Sequence, residues 1–266
     1  MRKIDFFVGT CVIESKQMCM DVGGRLKEVF SKYPEVNFTY KGSFDKANRS
    51  SIDSFRGPGM EEGLKILSDV KKELSVPVIT DFHMPAQAMD VASVVDTLQI
   101  PAFLCRQTDM IIAGAEACKK YDRQLKIKKG QFLSPEETGN IVEKANTIID
   151  KNQILLTERG TSFGYNNLIV DMASFQIMKS FGVRAIHDAT HCVQRPGGLG
   201  KTTGGKREQI LTLARAAIAA GADGIFMEVH PDPDKSKSDA STSLDLKNVE
   251  TIVDGLMRIF KAVENS

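Results

Sequence analysis

The chain has 266 residues, with 35 Lys and Arg against 34 Asp and Glu, a formal net charge of +1, 42% hydrophobic residues, 21 Gly, 5 Cys and no Trp. Ordinary apolar and charged fractions exclude disordered and fibrous classes. Near-neutrality removes the electrostatic case for nucleic-acid or membrane-surface binding, and the length suits one barrel-sized unit, which runs to roughly 250 residues.

In chain order, short β-rich apolar runs alternate with amphipathic runs of helical period. Strand Phe6–Ile13 precedes helix Lys16–Lys32, strand Asn37–Phe44 precedes helix Glu61–Leu74, and strand Val76–Asp81 precedes helix Ala86–Val94. Strand Leu98–Ile100 leads to helix Asp109–Lys120, and strand Leu125–Lys128 to helix Pro135–Asp150, which opens on Pro135, Glu136 and Glu137. Strands Ile154–Thr157, Val183–His187 and Gly224–Val229 precede helices Ala173–Phe181, Glu208–Ala220 and Asn248–Val263. Eight such units with no break in composition predict an α/β chain closed into one (β/α)8, or TIM, barrel over residues 1–266, with a doubly wound sheet as the alternative.

The first residues resemble a short leader ending in Cys11, but Asp5 interrupts the apolar run, and no stretch reaches the ~20 apolar residues of a membrane span. The five scattered cysteines, Cys11, Cys19, Cys105, Cys118 and Cys192, read as reduced thiols of a cytoplasmic protein.

In a barrel, chemistry collects where strands run into the following loops. Cys11, His191, Glu228 and Asp239 come from the first, seventh and eighth strand ends, which adjoin on closure, and offer a donor set for Zn²⁺, Fe²⁺ or Mn²⁺. Against this, a free cysteine is commonly a small buried hydrophobe, and Cys192 competes with Cys11 as a thiol donor. Lys41, Lys46, Arg49, Arg106, Lys128, Lys129 and Arg159 fall at strand ends or in the loops beyond, where phosphate and carboxylate recognition competes with a solvated charged face. All four histidines, His83, His187, His191 and His230, fall at such ends too. Residues 195–206 are glycine-rich; Arg195 stands where a P-loop needs glycine, and a long glycine-rich loop after the seventh strand fits a mobile lid, with a floppy surface connection as the alternative.

Several runs carry a resemblance. They are Lys41-Gly42-Ser43-Phe44-Asp45-Lys46-Ala47-Asn48-Arg49-Ser50-Ser51, Thr80-Asp81-Phe82-His83, Gln99-Ile100-Pro101 through Arg106-Gln107-Thr108-Asp109, Lys128-Lys129-Gly130-Gln131-Phe132, Thr157-Glu158-Arg159-Gly160, Asp188-Ala189-Thr190-His191 and Ser238-Asp239-Ala240-Ser241-Thr242. With them, nearly the whole chain resembles the 3-deoxy-D-manno-octulosonate 8-phosphate synthase family. The resemblance implies a cytoplasmic, homotetrameric barrel enzyme, a transferase of lipopolysaccharide biosynthesis. Its reaction condenses phosphoenolpyruvate (PEP) with D-arabinose 5-phosphate and water. By resemblance, Lys41, Ser43, Lys46, Gln99, Lys128 and Arg159 hold PEP, while Asn48, Arg49 and Ser50, with Arg106 from a neighbouring subunit, hold the sugar phosphate. Lys46, Asn48, Asp81 and His83 are the catalytic candidates, and cysteine at position 11 implies the metal-dependent class, with Cys11, His191, Glu228 and Asp239 as ligands.

The related synthases that use erythrose 4-phosphate typically carry Lys-Pro-Arg-Thr-Ser where this chain has Lys46-Ala47-Asn48-Arg49-Ser50, which favours the five-carbon acceptor. Two departures from the family stand out: Thr10 in place of proline, and Lys126 in place of asparagine. These departures suggest one rival reading, a barrel that binds sugar phosphates without turnover; a synthase using erythrose 4-phosphate is the other alternative.

Overall fold

The computed structural model describes residues 2–195 and 204–265. Eight parallel strands follow one another around a closed sheet: β1 (Ile4–Val12), β2 (Val36–Ser43), β3 (Val78–Asp81), β4 (Thr97–Ile100), β5 (Gln124–Lys128), β6 (Ile154–Glu158), β7 (Arg184–Asp188) and β8 (Gly224–His230). β8 pairs with both β7 and β1, with Asp5 opposite Gly224 and Gly9 opposite Glu228, and this closes the sheet. The helices α1 (Lys16–Phe30), α2 (Met60–Leu74), α3 (Ala88–Val94), α4 (Thr108–Tyr121), α5 (Thr138–Asn146), α6 (Ser174–Ser180), α7 (Ile210–Ala219) and α8 (Val249–Glu264) alternate with the strands. The (β/α)8 expectation is borne out, and the doubly wound alternative is not.

Each helix buries one stripe. In α8, Val249, Ile252, Val253, Leu256, Met257 and Phe260 recur at the three- and four-residue spacing that puts them on one face. Helix starts depart most from the sequence reading. The helix expected over Pro135–Asp150 is shorter, Thr138–Asn146, because Thr138, Gly139 and Asn140 donate to the carbonyls of Pro135, Glu136 and Glu137, a tighter 3₁₀-type turn. Similar single turns, Pro85–Gln87 and Arg207–Gln209, lead into α3 and α7.

The core has two zones. A large apolar layer lies between strands and helices, and a small one, Phe7, Ile79, Leu155, Ile186 and Phe226, fills the barrel's interior. Side chains alternate along a strand, so the residue two further on also faces inward. That step leads from Ile79 to Asp81, from Ile186 to Asp188 and from Phe226 to Glu228. The interior therefore changes from apolar floor to charged mouth within one pleat.

Between β1 and β2, a Cβ on Gly9 would sit 2.0 Å from the Lys41 carbonyl oxygen, so only glycine lets the two strands approach there. The β1–β2 register shifts between Gly9 and Val12, and Cys11 lies in that irregular stretch. Arg195 and Gly204 pair across a two-residue antiparallel ladder; the rest of the expected lid, residues 196–203, lies outside the described residues. Among the described residues, no helix is long and apolar enough to cross a membrane.

Candidate active site

A cavity of about 630 Å³ opens at the carboxyl ends of the strands, within the range of small-molecule sites. Lys41, Lys46, Asn48, Arg49, Ser50, Asp81, His83, Gln99, Lys128, Arg159, His191, Glu228 and Asp239 line it. Most of the residues singled out from sequence are thus brought to one place. Arg106 is exposed and outside this cavity, and Ser43 and Cys11 sit behind its wall. Lys129 belongs to the opposite face of β5: its Nζ lies 3.5 Å from Glu158 Oε2 and donates to Thr161 Oγ1 at 2.9 Å.

One wall is a ligand cluster. Cys11, Glu228 and Asp239 each offer a donor atom, all within 4.8 Å of one another. His191 borders the trio, its Nε2 3.4 Å from Glu228 Oε2 and 3.6 Å from Asp239 Oδ2. Behind it, Asp188 Oδ2 lies 2.8 Å from His191 Nδ1, which leaves Nε2 turned to the cluster. Burial works to raise the carboxyls, but Lys41, His191 and Lys46 hold Glu228 down at about 2. Asp239 is held still lower by the neighbouring His191, while burial and Glu228 push the Cys11 thiol well up. Glu228 Oε2 is buried and accepts no hydrogen bond from the described residues, so two anionic carboxylates, an imidazole and a thiol converge on an electron-rich spot. Such a donor set fits a divalent transition metal.

A second, cationic wall adjoins this cluster. Lys41 Nζ donates to Glu228 Oε1 and to the Cys11 carbonyl, both at 2.7 Å, and Lys46 Nζ lies 3.9 Å from the same carboxylate oxygen. Lys128 Nζ donates to Asp188 Oδ2 at 2.6 Å. Arg159 Nη2 donates to Gln194 Oε1 at 2.8 Å, whereas its buried Nη1 has no partner among the described residues. An unpartnered guanidinium nitrogen on a residue that lines a cavity is a donor suited to an anion. Arg49 donates to Ser238 Oγ at 2.8 Å and to the Lys237 carbonyl at 2.6 Å, tying the two loops that rim the mouth. Asp81 accepts from Ser43 and lies 3.1 Å from His83 Nε2; the hydrogen bond and Lys46 outweigh burial and hold its carboxyl well below the usual range.

The four histidines divide evenly, which corrects the expectation of one functional face. His83 and His191 line the cavity, whereas His230 is buried at the end of β8, 3.4 Å from Glu14. His187 points out of the barrel, edge-on to Phe175 with ring centroids 5.8 Å apart, and burial pulls its pKa from 6.5 down to about 4. Unfolded chains therefore take up a proton here that the folded chain refuses. The part of the stability that His187 contributes should be full above about pH 6.5 and be lost, by about 3 kcal/mol, as the pH drops towards 4. Denaturant melts between about pH 4 and 7 should show His187→Gln losing this part of the acid slope, and an unaltered slope rejects the assignment.

Three residues of the site carried no signal strong enough to assign a role from sequence. Asp188 joins Lys128 to His191, Gln194 joins Arg159 to Asp239 (Nε2 to Oδ1, 2.9 Å), and Lys126 supports Gln99 (3.0 Å). Asp188 left a trace, three residues before His191 and in step with inward-facing Ile186, and Lys126 showed only as a departure from the family.

The model of the DAHP synthetase I family matches residues 2–264. Proteins named 2-dehydro-3-deoxyphosphooctonate aldolase are similar over nearly the whole length. One from Paraburkholderia xenovorans is 47% identical over 100% of this chain and 93% of the relative. Another from Francisella tularensis subsp. holarctica is 51% identical over 97% and 91%, and one from Burkholderia multivorans 49% identical over 96% and 90%.

Proposed function

The chain belongs to the DAHP synthetase I family, and from that premise we propose that its barrel mouth condenses PEP with D-arabinose 5-phosphate and water, giving 3-deoxy-D-manno-octulosonate 8-phosphate and inorganic phosphate. The observation that carries this reading is the pairing, inside one cavity, of a cationic wall holding an unpartnered Arg159 nitrogen with a metal-binding donor set.

PEP brings a phosphate and a carboxylate. Lys41, Ser43, Lys46, Gln99, Lys128 and Arg159 stand in or against the wall that suits them, Arg159 by its fork and the lysines as point charges. The acceptor's phosphate and hydroxyls fall to Asn48, Arg49 and Ser50 at the rim. Arg106, exposed and outside its own chain's cavity, supports the reading that a second copy in a homotetramer receives it.

A new bond joins C3 of PEP to the sugar's aldehyde carbon, water adds at C2, and phosphate leaves from the resulting tetrahedral centre. Cys11, His191, Glu228 and Asp239 would hold a divalent metal (zinc, iron(II) or manganese), which would supply Lewis acidity at this wall when bound. Lys46, held cationic against burial by Cys11 and then by Glu228, Asp81 and Asp239, is suited to stabilise the anion that develops on the aldehyde oxygen. The Asp81–His83 pair, with His83 Nδ1 buried and unpartnered among the described residues, is suited to hold or move the proton of the water. Asn48 lies across the same cavity to orient the sugar.

The deciding measurement is phosphate release from PEP with each sugar phosphate as acceptor. Release with arabinose 5-phosphate should exceed that with erythrose 4-phosphate at least tenfold. The reverse order selects the other acceptor, and binding without release leaves a non-catalytic barrel.

A further inference from the structure

Lys126 is a fully buried lysine inside the barrel with no carboxylate within ion-pairing distance among the described residues. Its Nζ donates to Gln99 Oε1 at 3.0 Å and otherwise meets aromatic faces, 4.7 Å from the Phe226 centroid and 5.4 Å from that of Phe7. A lone lysine in such a place lowers stability, so its presence calls for a role other than packing. Gln99, its one polar partner, lines the cavity.

A carboxamide has an accepting and a donating end, and either can be turned to the cavity by a flip. An ammonium donates and never accepts, so it selects the orientation with Oε1 pointing down and the NH₂ towards the mouth. We propose that Lys126 is a positioning residue that locks the Gln99 carboxamide with its NH₂ presented to an anionic oxygen of the substrate. This rests on the reading that PEP binds at Gln99.

The groups around Lys126 give that lock a pH dependence. Burial lowers its proton affinity well below the ordinary lysine value; Lys128 on its own strand and Lys41 on β2 lower it further, while Asp188 on β7 and Asp81 on β3 oppose them. Gln99 on β4, Phe7 on β1 and Phe226 on β8 bring no charge. A neutral amine carries a lone pair and no longer dictates the orientation of the amide. An anion seated at Gln99 favours the ammonium, so binding should draw a proton into the barrel.

Calorimetric titration of the full chain with PEP, in two buffers of different ionisation enthalpy, separates these effects from turnover. Lys126→Met, close in volume and without a donor, should raise the Kd for PEP about tenfold and abolish the buffer-dependent proton uptake. It should leave the Kd for arabinose 5-phosphate within twofold, and the melting temperature should not fall, since no carboxylate loses a partner. Lys126→Gln, which can donate without charge, should restore part of the affinity with a flat pH profile. An unchanged Kd for PEP overturns the proposal, and so does equal weakening of both ligands with a lowered melting temperature, which marks a packing role. Wild-type protein that binds PEP with proton uptake yet releases no phosphate with either sugar would defeat the functional reading and leave Lys126 in its role.

Discussion

Cys11→Asn should strip bound metal from the protein and lower phosphate release about 100-fold or more, while the barrel stays folded. Cys11 contributes a thiol to a cluster whose other donors are two carboxylates and an imidazole, and a neutral carboxamide oxygen is a much weaker donor for zinc or iron than a thiolate. The fold has little to lose, because Cys11 belongs to neither apolar cluster. In the wild type, a chelator should abolish turnover and added divalent metal should restore it. Elemental analysis of the purified variant provides the independent reading: metal content equal to wild type would remove Cys11 from the ligand set, and chelator-resistant turnover would remove the metal from the reaction.

The barrel was legible because its signal is local and repeated. Each strand shows as a short apolar run and each helix as a periodic one, so all eight strands fall within a few residues of their expected places. The helix that begins late, α5, does so because Pro135 and the two residues after it accept i→i+3 hydrogen bonds, a choice of turn that composition does not reveal. Strand ends also gave the charged residues of the mouth. Sequence position alone could not say which face of a strand each occupies. Neighbours in the chain separate sharply in space. Lys128 faces Asp188 inside the barrel and Lys129 faces Glu158 outside it, as Asp188 faces the mouth and His187 the helices. Fixing the face requires knowing where the pleat is anchored, and the anchors Phe7, Ile79, Leu155, Ile186 and Phe226 are ordinary apolar residues in the sequence. Lys126 shows the limit most plainly. Its neighbours Leu125 and Ile127 pack outward in the large apolar layer, which turns the lysine into the interior, where charge is least expected.

Asp188→Asn should cost the most of any single isosteric change, because one fully buried carboxylate serves both walls of the site. Its Oδ2 accepts from Lys128 Nζ at 2.6 Å, its Oδ1 accepts the His191 backbone N–H at 3.0 Å, and both oxygens lie within 3.0 Å of His191 Nδ1. Burial alone would raise this carboxyl, yet His191, Lys128 and Arg159 hold it well below the usual range, so it is an anion at neutral pH. An asparagine must turn its NH₂ towards one of the two partners. Turned to Lys128, it sets donor against donor beside a buried ammonium. Turned to His191, it donates to Nδ1 and moves the ring proton to Nε2, the nitrogen needed at the cluster. Stranding the Lys128 charge should lower stability by about 3–5 kcal/mol. Misorienting His191 should weaken metal binding about 10- to 100-fold. The double variant Asp188→Asn, Lys128→Met separates the two: it should recover most of the lost stability, since no buried charge is left unpaired, and neither the metal affinity nor the turnover. Equal melting temperatures and metal content for Asp188→Asn and wild type would show that the carboxylate neither pairs with Lys128 nor orients His191.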